Sequence, residues 1–283
     1  MLLKQFVKYQ SLGNDFILFD WFKKPATFVK NELPGHAFSE IARGLCDRHF
    51  GVGADGVLVI TADQLASLPE IVVYNADGSN GEVCLNGLRF VAHYLHTHHH
   101  FPDTFSILLG GRIIDCVVVK NGQQDVDVVT RVGIVEVLGQ KKITTTAGEF
   151  DGFVASVGNP HFIVFDRVEP EWLATHGKLL ESHAAFPKKT NVEFVWEMGK
   201  ELLGPVRRSF FMQVYERGCG ITLACSSGAA ALAGLLVSRG MVLVGEKVNV
   251  VMPGGTVVAW VDEQGMVTLQ ASAKRVFVGS LED

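Results

Sequence analysis

Two cysteines carry the chemistry this chain could perform. Cys84 and Cys225 each follow an aromatic residue by ten positions, Tyr74 and Tyr215. Each opens a short polar segment ending in glycine, Cys84-Leu85-Asn86-Gly87 and Cys225-Ser226-Ser227-Gly228. The segments that follow, 88–95 and 229–237, are apolar nearly all round, which predicts a buried helix after each thiol. The first turn of a helix presents main-chain N–H groups and partial positive charge. There a thiol's pKa falls from about 8.5 toward neutrality, and a carboxylate finds a ready site. If two such helix starts face each other across a cleft, one thiolate can remove the α-proton of an amino acid. The opposite thiol then delivers a proton to the other face, while the amides hold the α-carboxylate and the enolate-like charge. The plainer reading, two buried structural cysteines, is the usual fate of a free thiol, but it leaves the repetition unexplained.

The elements that must position the thiols are duplicated as well. Gly13-Asn14 and Gly158-Asn159 each precede an apolar strand ending in Phe-Asp. The cysteines are 141 residues apart (84 to 225) and the asparagines 145 (14 to 159). Two matches at nearly one offset indicate a duplicated chain. Strand-like runs fall at 16–19, 57–60, 71–74, 113–119, 126–129, 162–165, 192–196, 210–215, 248–252 and 257–261, punctuated by Gly, Asn and Asp. Residues 38–48 have amphipathic helical spacing. The expected fold class is α+β: two pseudo-symmetric halves, each a curved, mostly antiparallel, barrel-like sheet around a central buried helix, with the active site in the cleft between them. The expected domains are 1–125, joined by the last strand at 272–283, and 126–271. The halves are expected to meet near the polar turn Lys120-Asn121-Gly122-Gln123-Gln124.

Composition bounds the alternatives. The 283 residues suit two domains or one large one, and 48% hydrophobic with 19% charged residues is globular composition. A net charge of −5 argues against a dedicated nucleic-acid binder. No apolar stretch is long enough to span a membrane, and the opening residues lack a signal peptide's apolar core. Five cysteines, an odd number with no C-x-x-C, predict no disulfide framework and a reducing cytoplasm. Cys46 and Cys116 are expected in the core; Cys219 lies six residues before Cys225, where oxidation could join the two off-pathway. His93, His96, His98, His99 and His100 cluster, but no cysteine or carboxylate stands with them at a familiar ligand spacing, so a solvated helix end is expected rather than a metal site. Gly51-Val52-Gly53 and Gly110-Gly111 match no nucleotide-binding pattern.

At these residues the chain resembles the diaminopimelate epimerases, pyridoxal-independent two-cysteine amino-acid racemases. The resemblance runs almost end to end. It includes Leu12-Gly13-Asn14-Asp15-Phe16, the segment from Arg48-His49-Phe50 to Asp55-Gly56, Asn75-Ala76-Asp77-Gly78-Ser79 and Cys84-x-Asn86-Gly87-x-Arg89. It continues through Gly158-Asn159-Pro160-His161, Asn191-Val192-Glu193-Phe194, Glu216-Arg217-Gly218, Ala224-Cys225 and Pro253-Gly254-Gly255. It implies that Cys84 and Cys225 are the acid/base thiols, that His161 and Glu216 tune them, one near each, and that Asn14, Asn75, Asn159, Asn191, Glu216 and Arg217 contact substrate. The backbone at Leu85-Asn86 and Ser226-Ser227 would hold the α-carboxylate, and Arg217 could bind the distal carboxylate bidentately. The implied reaction converts LL- to meso-diaminopimelate for lysine and peptidoglycan precursors. It would need no cofactor or metal, take a small amino-acid substrate, and run in a cytoplasmic homodimer without nucleic acid or membrane partners.

The chain departs from the family pattern at two equivalent positions. Leu85 and Ser226 stand where the family has Gly, and at such positions close approach or a positive φ favours glycine. A third difference, Gly56 where the family often has Gln, carries little weight. The departures motivate a rival, a sister racemase of another amino acid. Rivals from other classes are a thiol redox protein and a non-catalytic amino-acid-binding protein.

Overall fold

Runs of β-branched and aromatic residues fit a pleated, half-buried surface, and their main-chain groups must find partners in neighbouring strands. A computed structural model describes residues 5–23, 35–62, 68–81, 84–121, 125–199, 206 and 208–282. The chain divides into two compact units, Met1–Thr130 with Ala271–Asp283, and Arg131–Gln270.

The first unit holds β1 (Gln5–Ser11), β2 (Asn14–Asp20), α1 (Gly35–Cys46), β3 (Gly56–Ala62), β4 (Pro69–Asn75), α2 (Leu85–His98), β5 (Thr104–Leu109), β6 (Arg112–Asn121) and β7 (Asp125–Ile134). These strands pair in chain order, β7 pairs with the C-terminal strand β16 (Met266–Ser280), and β16 pairs back to β1. The sheet thereby closes into an eight-stranded barrel, which leaves no open edge. Neighbours are antiparallel except at β2–β3 and β4–β5. Parallel neighbours need a crossover, and α1 and α2 lie in those two connections. α2 is buried on every side from Leu85 to Leu95 and packs against β1, β2, β5 and β6. Its all-round apolarity follows from that enclosure. α1 packs on β3 and β4, with Phe38 against Tyr74 at 4.5 Å. The Gly110-Gly111 pair is the β5–β6 hairpin turn, with φ of 58° and 76° at the two residues, the conformation that glycine makes easy. Of the polar turn expected at residues 120–124, residues 122–124 lie outside the described residues.

The second unit repeats the plan. β8 (Glu136–Thr145), β9 (Gly148–Ser156) and β10 (Pro160–Val164) precede α3 (Pro170–Glu181); β11 (Asn191–Glu197), β12 (Arg208–Glu216) and β13 (Gly220–Thr222) precede α4 (Ser226–Ser238); β14 (Val248–Met252) and β15 (Gly255–Val261) follow. The sheet order is β8-β9-β10-β11-β12-β14-β15-β16, with parallel neighbours at β10–β11 and β12–β14. The parallel steps and helices therefore fall at the same places as in the first unit. α4 is the counterpart of α2, buried through Ala229–Ala233 and again at Leu235 and Leu236. α3 covers an aromatic core of Phe150, Phe162, Trp172 and Phe194. Among the described residues no helix is long and apolar enough to cross a membrane.

Candidate active site

Each thiol caps its helix. Cys84 is the N-cap of α2 in extended conformation (φ −119°, ψ 95°), and its Sγ accepts the Gly87 N–H at 3.2 Å. Cys225 is the N-cap of α4 (φ −128°, ψ 106°), and its Sγ accepts the Gly228 N–H at 3.4 Å. Leu85, Asn86, Ser226 and Ser227 occupy the first two helical positions, where main-chain N–H groups have no acceptor within the helix. Leu85 and Ser226 need no positive φ: among the described non-glycine residues only Leu12, His100 and Lys189 have one. Their side chains are buried.

Around Cys84 the first unit builds a hydrogen-bonded amide chain. Asn86 Nδ2 donates to Asn14 Oδ1 at 3.0 Å, and Asn14 Nδ2 donates to Asp55 Oδ2 at 2.8 Å. Asn14 begins β2 beside a turn in which Leu12 itself has φ 55°. The Asp55 loop is clamped by Arg48, which bonds both Asp15 and Asp55, and by buried Lys8, which bonds Asp15 at 2.6 Å. Lys8 and Arg48 hold the Asp15 carboxyl below the usual carboxylate range against the opposing effect of burial. Arg89, fully buried, donates to Asn86 Oδ1 and to Ser11 Oγ. Burial lowers its pKa to about 10, partly offset by the charges of Cys84 and Asp127. Asn75 ends β4, and its amide donates to Ser79 Oγ within its own turn.

The second unit surrounds Cys225 with acids. Burial first, and then the charges of Glu216 and Glu193, push the Cys225 thiol well above its ordinary pKa. Burial likewise raises Glu216, which hydrogen-bonds both Thr222 Oγ1 and Cys225. His161 and Glu216 both stand on this unit. His161 Nδ1 bonds Glu193 Oε1 at 2.6 Å, with both side chains fully buried, and its Nε2 lies 3.2 Å from Asn159 Oδ1. Asn159 Nδ2 donates to Ser227 Oγ at 3.2 Å, and Ser227 Oγ lies 3.4 Å from Cys225 Sγ. Asn191 accepts the Arg217 N–H at 2.9 Å, and buried Glu181 accepts the Gly218 N–H at 3.1 Å. These two bonds fix the turn that carries Arg217.

Four contributors were missed as site residues: Arg89, Asp55, Glu193 and Glu181. The first three lie inside the motifs quoted above. Glu181 has no motif signal, only a carboxylate at the buried end of α3.

The diaminopimelate epimerase family model matches residues 6–137 and 153–276. The chain belongs to the diaminopimelate epimerase family. Curated family members from Prochlorococcus marinus (strain NATL1A), Carboxydothermus hydrogenoformans and Microcystis aeruginosa are 33%, 34% and 35% identical, covering 97–98% of this chain and 97–98% of their own. The chain is accordingly an isomerase of the epimerase class. Solved structures share the fold at low identity. A hydroxyproline epimerase from Agrobacterium vitis matches with TM-score 0.72 at 14% identity, covering 100% of this chain and 94% of that one. A phenazine biosynthesis protein of the PhzF family from Bacillus anthracis matches with TM-score 0.74 at 11% identity over all of both chains.

The histidine cluster closes the end of α2. His93 packs edge-on against Tyr9, His98 stacks on Tyr94 at 4.2 Å, and His99 bonds Asp20 at 2.8 Å. Among the described residues no three His, Cys, Asp or Glu side chains converge as a metal site.

Proposed function

We propose that this protein interconverts LL- and meso-diaminopimelate by a two-base thiol mechanism, in the cytoplasm, as a homodimer, in the synthesis of lysine and peptidoglycan precursors. The reading rests on one observation: two thiols cap two equivalent, enclosed helices of a duplicated chain. It requires both helix N-termini to reach one α-carbon from opposite faces. One sulfur, as thiolate, takes the α-proton and becomes a thiol. The other, as thiol, gives its proton to the opposite face and becomes the thiolate, so the protein ends with its protons exchanged and the substrate inverted. The N–H groups of Leu85, Asn86, Ser226 and Ser227 would hold the α-carboxylate and stabilise the charge that develops on it. Asn14, Asn75, Asn159, Asn191, Glu216 and Arg217 would select the substrate, with Arg217 matched to the distal carboxylate. Thiols and backbone dipoles suffice for this chemistry, so no cofactor is invoked.

The test incubates purified protein with LL-diaminopimelate, meso-diaminopimelate and a panel of other amino acids in deuterated water. Inversion of diaminopimelate with deuterium entering at the α-carbon is the expected result. Absence of α-exchange on every substrate would refute the epimerase chemistry. Exchange confined to another amino acid would favour the sister racemase, for which the buried side chains of Leu85 and Ser226 are the motive.

A further inference from the structure

The duplication supplies an internal control for the buried His161–Glu193 pair. In the first unit the parallel register pairs Phe16 with Gly56, two residues before Leu58; in the second it pairs His161 with Asn191, two residues before Glu193. Phe16 and His161, and likewise Leu58 and Glu193, are therefore equivalent positions. The glycines after the thiols agree. A Cβ on Gly87 would meet Leu58 at 2.9 Å, and a Cβ on Gly228 would meet Glu193 Oε1 at 2.9 Å. Behind one helix start the fold is content with a phenyl ring and a leucine. Behind the other it buries an imidazole and a carboxylate, an arrangement whose desolvation cost commonly cancels its attraction. Packing thus gives no reason for the pair.

The bonds running outward from the pair give one. Asn159 Nδ2 donates to Ser227 Oγ, so Asn159 turns its carbonyl Oδ1 toward His161 Nε2. With Ser227 accepting from Asn159, its own hydroxyl proton can point at Cys225 Sγ. We propose that Glu193 is a positioning residue for the Cys225 thiol. Acceptors face both ring nitrogens of His161, Glu193 Oε1 at Nδ1 and Asn159 Oδ1 at Nε2, so the ring must carry a proton on each. The Glu193 carboxylate pairs with that doubly protonated ring, which then donates Nε2–H to Asn159 and so orients a one-way hydrogen-bond chain that places the Ser227 hydroxyl on the sulfur. This deepens the two-thiol reading and rests on it. The other titratable groups facing the pair are Glu216, on β12, and Cys225 itself.

The sign of one measurement separates this role from a simple charge effect. Iodoacetamide labelling of Cys225, resolved by peptide mass spectrometry, is followed against pH in the full-length protein and in Glu193→Gln and Glu193→Asp. Through-space repulsion alone would let Glu193→Gln lower the pH midpoint, because an anion is removed, and would leave Glu193→Asp unmoved. The positioning role raises the midpoint in both, because Ser227 no longer donates to the thiolate. A lowered or unchanged midpoint in either folded variant overturns the proposal, and Glu193→Asp decides if Glu193→Gln does not fold. In turnover with diaminopimelate, Glu193→Gln should lower kcat about 10- to 100-fold with KM nearly unchanged, and adding Ser227→Ala should cost little more. Independent, multiplied losses would also overturn it. The labelling needs no substrate, so it stands apart from the identity of the amino acid, which fails only if the wild type shows no α-exchange on diaminopimelate.

Discussion

Cys84 and Cys225 hold the same position on equivalent helices, each taking one N–H bond from the third helical residue. Their surroundings are opposite in charge. Near Cys84 lies a buried guanidinium, Arg89, whose pKa the sulfur's charge helps to hold up. Near Cys225 lie two carboxylates, and the residue is almost wholly enclosed, with 4% exposed, whereas Cys84 is only half-buried. Even the strand ends differ, Asn75 at β4 against Glu216 at β12. Two equivalent thiols would share one intrinsic pKa, with no preference for which of them carries the proton. A two-base reaction needs one of each form at rest, and burial beside Glu216 and Glu193 favours the protonated thiol at Cys225. Duplication supplied two equivalent helix caps, and divergence of the neighbours made their surroundings unlike.

Removing either thiol should break the comparison most severely. Cys84→Ser and Cys225→Ser should each lower epimerisation by about 10³-fold or more, since each face of the α-carbon needs its own proton carrier. Chiral chromatography of the products measures this, and substantial epimerisation by either variant would refute the two-base assignment. Cys225→Ser should still eliminate halide from a halogenated analogue, which needs only one base.

Glu216 is the next largest lever. Glu216→Gln should lower kcat about 100-fold, measured against diaminopimelate at saturating concentration. It should also raise Tm at neutral pH. A carboxyl whose folded pKa is raised contributes stability below its unfolded pKa and loses it as pH rises through the folded value. Asp15 has the opposite sign: its folded pKa is lowered, so its contribution is present at neutral pH and is lost as pH falls through that lowered value. Asp15→Asn should therefore lower Tm at pH 7, by the equivalent of about 3 kcal/mol, because it leaves buried Lys8 with only the Gly53 carbonyl and no counter-charge from Asp15. Thermal melts of both variants between pH 3 and pH 8, spanning roughly the carboxylate range, test the two signs together.

Alkylation compares the thiols directly. At neutral pH Cys84 should react about tenfold or more faster than Cys225, because Cys84 is the more exposed and burial beside two carboxylates holds Cys225 as the thiol. Cys46 and Cys116, raised by burial to about 11 and about 12, should lag as well. Equal rates at Cys84 and Cys225 by peptide mapping would remove the asymmetry. The smallest effects on turnover are expected at Leu85→Gly and Ser226→Gly. Neither residue needs a positive φ, so each variant should keep kcat/KM on diaminopimelate. Ser226→Gly should lose about 0.5–1 kcal/mol of stability, and Leu85→Gly, which also empties a buried leucine site, about 3 kcal/mol or more. A gain of diaminopimelate activity from a poor wild type would instead identify these side chains as determinants of another substrate.

The two thiols, the helices behind them and the repeat were all legible in the sequence, because each is a local pattern: an aromatic ten residues ahead, a polar turn, an apolar run. The strands at 57–60, 192–196 and 248–252 were legible for the same reason. α3 was not, since only Leu173, Gly177, Leu180 and Glu181 of its twelve residues are buried and the apolar period is faint. β8 was not, since its residues are mostly exposed. The charge environment of each thiol lay beyond any local pattern. Glu193 is thirty-two residues from His161 and thirty-two from Cys225, and nothing in its own neighbourhood distinguishes it from Leu58. What puts it behind the α4 glycine is the parallel register of β10 with β11 and the enclosure of the helix against the sheet. The sequence by itself determined that there would be two thiols at two helix starts. Only the tertiary structure decided that one would be backed by leucine and phenylalanine and the other by an acid and an imidazole, because a side chain's electrostatic partners are set by strand register and packing rather than by its neighbours along the chain.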